Sequence, residues 1–395
     1  MAKRARKGWR EWPRSVALFA ALCVLVAGCG DDGESASPAS SGPQARRIWT
    51  WRIARAGGEV DNFALSAGRE FTAEIYEVPA FPCVRTDTTD YLHIPEATES
   101  PGPPAVFLAV PPQNPGAPVL MLFHGNGLDF IEALASLFVH AAPRTALQLL
   151  QDLPSFVGFI EILSRGGAVR GLRGESSGPI AAAALERGWG IVVPGNCWGD
   201  GGHHRGEVID YYIKAPRYGR SMDDFVWDWY RQRFPHDGSR EYSFGCSGGG
   251  QRTAQLLLAN PHGVAAAAVD SPADYLLGFK EDPPGLFGLL QGIPGYTDVL
   301  DAFYLAHYGT WENAAAQSLG TQLLARGIDT PIYLAYSTRD PLVTAGITRA
   351  LAQALAQRQP SNRQFVWETG EAIHCQINSR ARAEAVLDWL LQWQR

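Results

Sequence analysis

A serine in a glycine-rich pentapeptide is the strongest candidate for covalent chemistry in this sequence. Gly245-Cys246-Ser247-Gly248-Gly249 matches the pattern G-x-S-x-G, which places a serine on a sharp turn between a strand and a helix. A serine hydroxyl is a weak nucleophile and has to be presented to a neighbouring base. Glycines permit the tight turn, and the N–H groups that begin the helix point toward a developing oxyanion. We therefore predict that Ser247 attacks an acyl carbon.

A second copy of the same pattern, residues 174–178, competes with this assignment. It follows an arginine-rich loop, and Ser177 stands two residues before Pro179, as at the start of a helix. Ser247 instead lies between a strand-like stretch and a clean helical stretch, residues 249–259. We therefore interpret residues 174–178 as a turn that caps a helix.

A base and an acid must accompany the serine, and their order along the chain narrows the choice. Of the nine histidines, only His374 follows the candidate acid Asp340, and both come after predicted strands, as in a Ser, acid, His order. Asp340 could also be a turn-forming residue, and Asp270 is a rival acid because it too follows a strand. Position favours Asp340, so we predict that His374 transfers the proton of Ser247 while Asp340 orients the imidazole.

Backbone N–H groups are expected to stabilise the oxyanion from two places. Gly248 directly follows the nucleophile, and His124-Gly125-Asn126-Gly127 follows the first buried strand. The second donor is expected to be the N–H of Gly125 or Asn126. No proton-transfer role is assigned to His124, because a buried histidine there could equally be structural.

Two cysteines stand beside the two residues that would do the chemistry. Cys246 precedes Ser247, and Cys375 follows His374. If the serine and the histidine come within hydrogen-bond reach, their neighbours lie only several Å apart, and a disulfide needs Cα atoms about 4.4–6.8 Å apart. We predict a Cys246–Cys375 disulfide; the alternative is two unrelated buried thiols.

The Cys-Ser, Asp, His-Cys arrangement resembles the tannase and feruloyl-esterase group of the α/β-hydrolases. The resemblance covers about residues 118–395 and includes, more weakly, the Gly-Gly-His sequence at residues 201–203. It implies that the two cysteines are linked and that the substrates are esters of phenolic acids. The segment 272–326, in the place of that group's lid, is short and has no calcium-loop pattern of alternating aspartates.

Alternating strand-like and helical stretches predict the fold class. Residues 118–123 and 190–194 are apolar runs typical of strands covered on both faces. Strands separated by helices imply parallel pairing with right-handed crossovers. We expect an α/β-hydrolase fold, a mostly parallel sheet flanked by helices, with antiparallel lead-in strands within residues 47–110. Insertions are expected at about 128–170 and 272–326, the second a helical cap or lid, or a packed peripheral subdomain.

The N-terminus has the pattern of an export signal. Six basic residues precede an apolar run that ends in Leu-Val-Ala-Gly-Cys at residues 25–29, which resembles a bacterial lipobox. We predict a lipoprotein signal peptide at 1–28, a lipid on Cys29, a flexible tether at 29–46 and a hydrolase domain at 47–395. The alternatives are an ordinary signal peptide or a short anchor that is never cut. The predicted location is periplasmic or at the cell surface, with the membrane contacted through the lipid.

The net charge limits the binding partners that we expect, and the number of cysteines limits the disulfides. The formal net charge is −6, and residues 1–28 hold six basic residues and one acid, so the mature chain would stand at −11. An acidic chain without basic runs is a poor candidate for nucleic-acid binding. Besides Cys246 and Cys375, the mature chain keeps Cys83 and Cys197. By elimination, we predict that these two form a second disulfide. The sequence leaves the oligomeric state open.

A metal or cofactor is not expected. His203 and His204 with Asp200 suggest a metal at first, but adjacent histidines seldom converge on one ion without further ligands, so a polar loop lining the pocket is the better interpretation. The sequence thus predicts an exported serine hydrolase that cleaves carboxylic esters through an acyl-enzyme. The alternatives are a peptidase or amidase with the same triad, or a surface binding protein without catalysis.

Overall fold

The structure is a computed structural model that describes residues 45–53, 59–60, 63–64, 71–78, 105–123, 178–197, 219–272, 310–316, 318–340, 343, 345–358 and 363–395. The predicted signal peptide and lipidation site, the insertion at 128–170 and most of the segment 272–326 lie outside these residues. So do Cys83, Gly125, Asn126 and the loop that holds His203. The predictions made for these parts of the chain stay predictions.

A nine-stranded mixed sheet forms the centre of the described part of the chain. In chain order its strands are β1 (Arg46–Ile53), β4 (Phe71–Val78), β5 (Ala105–Val110), β6 (Val119–Phe123), β7 (Gly190–Cys197), β8 (Glu241–Cys246), β9 (Ala266–Asp270), β10 (Ile332–Ser337) and β11 (Gln364–Thr369). The short strands β2 (Glu59–Val60) and β3 (Phe63–Ala64) pair separately. The spatial order is β1-β4-β5-β7-β6-β8-β9-β10-β11. Pairing is antiparallel from β1 to β7 and parallel from β7 to β11.

Helices cover both faces of this sheet. Helices α1 (Gly178–Glu186) and α7 (Arg380–Leu390) pack on one face. The other face carries α2 (Gly219–Arg233), α3 (Gly248–Ala259), α5 (Leu319–Ala325) and α6 (Ala345–Ala356), with α4 (Trp311–Ala316) next to α5. Strands β6, β8, β9 and β10 are buried along their whole length, as strands covered on both faces must be. This strand order with helices on both faces is the α/β-hydrolase fold.

The predicted elements agree with the observed ones apart from their ends. The sequence pattern predicts a strand over residues 264–269, and the structure places it at Ala266–Asp270, so an acidic residue ends a fully buried strand. The pattern also predicts a last helix over residues 380–394, but this helix ends at Leu390 and is followed by a turn in which the Trp393 N–H donates to the Leu390 carbonyl. Leu319 and Leu323 of α5 are buried in the core, so the described end of segment 272–326 is packed helix. Within the described residues, no helix has both the length and the apolar character needed to cross a membrane.

Candidate active site

Ser247 stands on a strained turn at the carboxyl end of the central strand β8. The strand ends at Cys246, α3 begins at Gly248, and Ser247 between them has a φ of 57°. A left-handed conformation costs a residue other than glycine about 1–3 kcal/mol and persists only where its surroundings impose it. The turn is tightly packed at Gly245, where a Cβ would overlap the backbone carbonyl of Gly249. The turn therefore needs glycine in its first position and holds the serine side chain partly exposed.

The backbone around the turn leaves an anion-binding position next to Ser247. The Ser247 N–H donates to the carbonyl of Asp270 at 2.9 Å, and the Ser247 carbonyl accepts from Gln251 N at 3.1 Å. Gly248 is the first residue of α3, and the first N–H groups of a helix have no acceptor within the helix. Gly248 thus lies at a helix start, where an N–H can bind an anion, and its role as an oxyanion donor stays a prediction. The other predicted donors, Gly125 and Asn126, lie outside the described residues.

His374 and Asp340 form a buried pair on neighbouring loops. Asp340 follows β10, and His374 lies in the loop after β11. The His374 Nδ1 is 2.8 Å from Oδ2 and 3.0 Å from Oδ1 of Asp340, and the two side chains are only 3% and 2% exposed. The N–H of Val343 donates to the same carboxylate at 2.9 Å. With Nδ1 turned toward the acid, Nε2 is the ring nitrogen that can exchange a proton with a serine.

The Cys246–Cys375 disulfide joins the nucleophile turn to the loop of the base. Its Cα atoms are 5.8 Å apart, inside the range that a disulfide requires. Both cysteines are buried, and Cys375 has a φ of 58°. The sulfurs and His374 also lie close enough together to resemble a metal site, but metals bind thiolates, and these two sulfurs are bonded to each other. The bond therefore holds together the two residues that adjoin Ser247 and His374 in sequence, with their Cα atoms 5.8 Å apart.

Asp270, the rival acid, contacts the base loop by a different route. It is fully buried, and its carboxylate accepts the backbone N–H of Gln376 at 2.9 Å and of Ile377 at 2.8 Å. The hydroxyl of Ser271 donates to it at 3.0 Å. Burial raises the pKa of Asp270 to about 6, against the lowering effect of these hydrogen bonds and of the nearby His374. The acid hydrogen-bonded to His374 is Asp340, the acid that chain position favours, and its catalytic role stays a prediction.

Several side chains that the sequence did not single out hold the base loop in place. The Ser337 hydroxyl donates to the Glu371 carbonyl, and the Thr369 hydroxyl donates to Gln376 Oε1 at 2.8 Å. Arg382 of α7 donates to the Gln376 carbonyl at 3.0 Å and pairs with the Glu371 carboxylate. In the sequence these are ordinary polar residues in loops and on a helix, with no pattern that distinguishes them. They became identifiable only when β10, β11 and α7 were seen side by side.

For the second predicted disulfide and for the competing serine motif, the structure describes only some of the residues. Cys197 ends β7, opposite Ala105 of β5, and its predicted partner Cys83 lies outside the described residues, so this second bond stays a prediction. The motif serine of the competing copy, Ser176, also lies outside them. Gly178, the last residue of that copy, begins α1.

The comparisons with known proteins are distant. No protein-family model matches this chain, and no curated protein matches it. Among solved structures, it is similar to a glucuronoyl esterase from Teredinibacter turnerae, at 10% identity and a TM-score of 0.48, over 89% of this chain and 79% of the other. An acetyl xylan esterase from a Paenibacillus species is 12% identical, with a TM-score of 0.47 over 89% and 90% of the two chains. An esterase from Pyrococcus furiosus is 13% identical, with a TM-score of 0.40 over 73% and 84%. Likeness at this level carries no argument about function, which rests here on the site itself.

Proposed function

We propose that this chain is a serine hydrolase that cleaves carboxylic esters through an acyl-enzyme. The observation that carries the proposal is the arrangement around one disulfide. Ser247 stands on the strained turn on one side of it, and His374, bound to Asp340 at 2.8 Å, stands on the other. A nucleophile, a base and an orienting acid are the three parts that serine-based acyl transfer requires.

The reaction follows from these roles. As the Ser247 Oγ bonds to the ester carbon, its proton passes to Nε2 of His374, and the carbonyl oxygen becomes an oxyanion beside the Gly248 N–H. When the intermediate collapses, the ester C–O bond breaks and the leaving alkoxide takes the proton from His374. Water then attacks the acyl-enzyme by the same path, which releases the acid and restores the Ser247 hydroxyl. Asp340 stabilises the imidazolium in both steps and keeps its own charge.

Covalent labelling tests this proposal directly. The purified mature protein is treated with a fluorophosphonate and mapped by peptide mass spectrometry. We expect the adduct on Ser247 and its loss in Ser247→Ala. Ser176→Ala, which removes the serine of the competing motif, is the matched control and should label like the wild type. A folded wild-type protein that takes no label would contradict the proposal and favour the binding-protein alternative.

The substrate class is a finer proposal, that the acyl group is a phenolic or other aromatic acid. Its support is the resemblance of the cysteine-flanked triad to the tannase and feruloyl-esterase group. The test compares kcat/KM for methyl esters of phenolic acids, for short aliphatic esters of the same alcohol, and for anilides of the same acids. Highest values on the phenolic esters are expected. A preference for aliphatic esters would contradict the proposed aromatic specificity. A preference for anilides would favour the peptidase or amidase alternative.

We also propose that the enzyme is exported and anchored in a membrane by a lipid on Cys29. The support is the basic start, the apolar run and the lipobox-like residues before that cysteine. Mass spectrometry of protein from the membrane fraction should find an N-terminal lipidated Cys29. Cys29→Ser should abolish the lipid and the cleavage. An unmodified N-terminus in the wild type, at any position, would reject the anchor.

A further inference from the structure

We infer that Asp270 is a positioning residue that holds the His374 loop against the nucleophile turn from inside the protein. Its main-chain carbonyl accepts the N–H of Ser247, while its carboxylate accepts two N–H groups, of Gln376 and Ile377, from the loop that carries the base. One residue at the end of a central strand therefore contacts both the backbone of Ser247 and the loop that carries His374. It touches no reacting atom, so it acts through the position of His374.

The position of Asp270 in the sheet makes this contact rigid. Asp270 ends β9, where it pairs with Cys246 of β8 on one side and with Ala335 of β10 on the other. At Cys375 the loop is tied by the disulfide to Cys246, at the end of the neighbouring strand β8. The base loop is thus held at successive residues, by a covalent bond at Cys375 and by the carboxylate at Gln376 and Ile377.

The hydrogen-bond chemistry explains why a carboxylate is needed. Two N–H donors converge on the two oxygens, one each, and a third donor, the Ser271 hydroxyl, reaches one of them. An ionised carboxylate accepts all three, whereas an asparagine amide offers one oxygen and turns an NH2 group toward the remaining donor. Asp270→Asn, almost identical in size, should therefore lose one loop contact and create a repulsion in its place. An uncharged residue without an acceptor would leave both N–H groups buried without a partner.

Backbone hydrogen exchange tests the inference without any need for activity. In the wild type, the amides of Gln376 and Ile377 should exchange far more slowly than those of the exposed Gly370 and Ala372 in the same loop. In Asp270→Asn they should exchange roughly 10- to 100-fold faster, as expected for the loss of a hydrogen bond to a charged group. Wild-type amides at 376 and 377 that exchange as fast as those at 370 and 372 would overturn the inference even if the variant does not fold.

Glu241→Gln is the matched control. Glu241 is also a buried carboxylate that binds several donors, including Arg231 at 2.6 Å and His236 at 2.8 Å, but it begins β8 at the opposite end of the sheet. Its replacement should lower overall stability and leave the local exchange at Gln376 unchanged under native conditions. Equal acceleration by both variants would show that Asp270 contributes only to general stability.

A kinetic measurement, which rests on the proposed function, adds the catalytic consequence. In folded Asp270→Asn, kcat for ester hydrolysis should fall roughly 10- to 100-fold with KM within about twofold, because a small displacement of a base slows proton transfer. Glu241→Gln should keep the wild-type kcat per folded molecule. A wild type without hydrolase activity would refute the proposed function and leave the exchange result to decide the role of Asp270. Faster exchange with an unchanged kcat would refute the catalytic part alone.

Discussion

Removal of the Cys246–Cys375 disulfide gives the most quantitative test of the site. The bond joins residues 129 apart in sequence, so it closes a long loop in the unfolded chain. By the loop-entropy relation, a loop of this length lowers the free energy of folding by about 5 kcal/mol at 25 °C. Natural domains have a total stability of about 5–15 kcal/mol, so the loss should be large. We expect the Cys246→Ala/Cys375→Ala variant to be about 3–5 kcal/mol less stable than the oxidised wild type.

Urea unfolding followed by tryptophan fluorescence measures this difference. The dependence of the unfolding free energy on urea should also become steeper in the variant, because an unlinked chain exposes more surface when it unfolds. The two single variants, Cys246→Ala and Cys375→Ala, are internal controls. Each removes the whole bond, so each should lose nearly as much stability as the double variant, and the effects should not add.

Three results would refute this reasoning. A loss below about 1 kcal/mol in the double variant would mean that the bond does not restrict the unfolded chain in the way the loop-entropy model requires. Single-variant losses that add up to the double-variant loss would assign the effect to packing of the two buried side chains. Wild-type protein with two free thiols at these positions would contradict the disulfide itself.

Three further predictions concern the acid, the nucleophile turn and a buried histidine. Asp340→Asn should lower kcat by about 10³–10⁴-fold in steady-state ester hydrolysis, because the imidazole loses the acceptor that selects its tautomer; a change below tenfold would exclude Asp340 as the acid. Gly245→Ala should cost about 3 kcal/mol or more in urea unfolding because its Cβ meets backbone, whereas Gly238→Ala, which meets open space, should be near neutral. Burial is the largest single effect on His236 and lowers its pKa, but its hydrogen bonds to Glu241 and to the Phe234 carbonyl, together with the charge of Glu241, outweigh burial and raise the pKa. The stability that His236 adds over His236→Gln should therefore be greatest below about pH 6.5 and disappear as the pH rises through the raised pKa. A stability difference that grows as the pH rises would contradict this prediction.

The residues of the proposed triad could be selected from the sequence because their signals are local. A nucleophile turn needs small residues at fixed spacing around one serine, so Ser247 is marked by its immediate neighbours. Asp340 follows the buried strand β10 and His374 follows the edge strand β11, and the carboxyl ends of parallel strands meet at one edge of a sheet. The pairing of Cys246 with Cys375 followed from the same logic, because two residues adjacent to interacting side chains cannot be far apart.

The residues that hold the base loop in place could not be identified from the sequence in this way. Asp270 looked like a second candidate acid because it also ends a strand, and nothing local distinguishes an acid that binds a histidine from one that binds backbone N–H groups. The anchors Ser337, Thr369 and Arg382 carry no pattern at all. Their partners lie on a loop whose path depends on the disulfide, on β11 and on α7 together.

The sequence by itself determined the alternation of strands and helices, because apolar periodicity acts over a few residues. Glycine spacing, which is equally local, singled out the proposed nucleophile, and chain order its proposed partners. The tertiary structure decided which of two buried acids binds His374 and which binds its loop. That choice depends on the register of β9 between β8 and β10 and on the direction in which the loop leaves β11. Both are set by packing across the whole sheet, which no short stretch of sequence encodes.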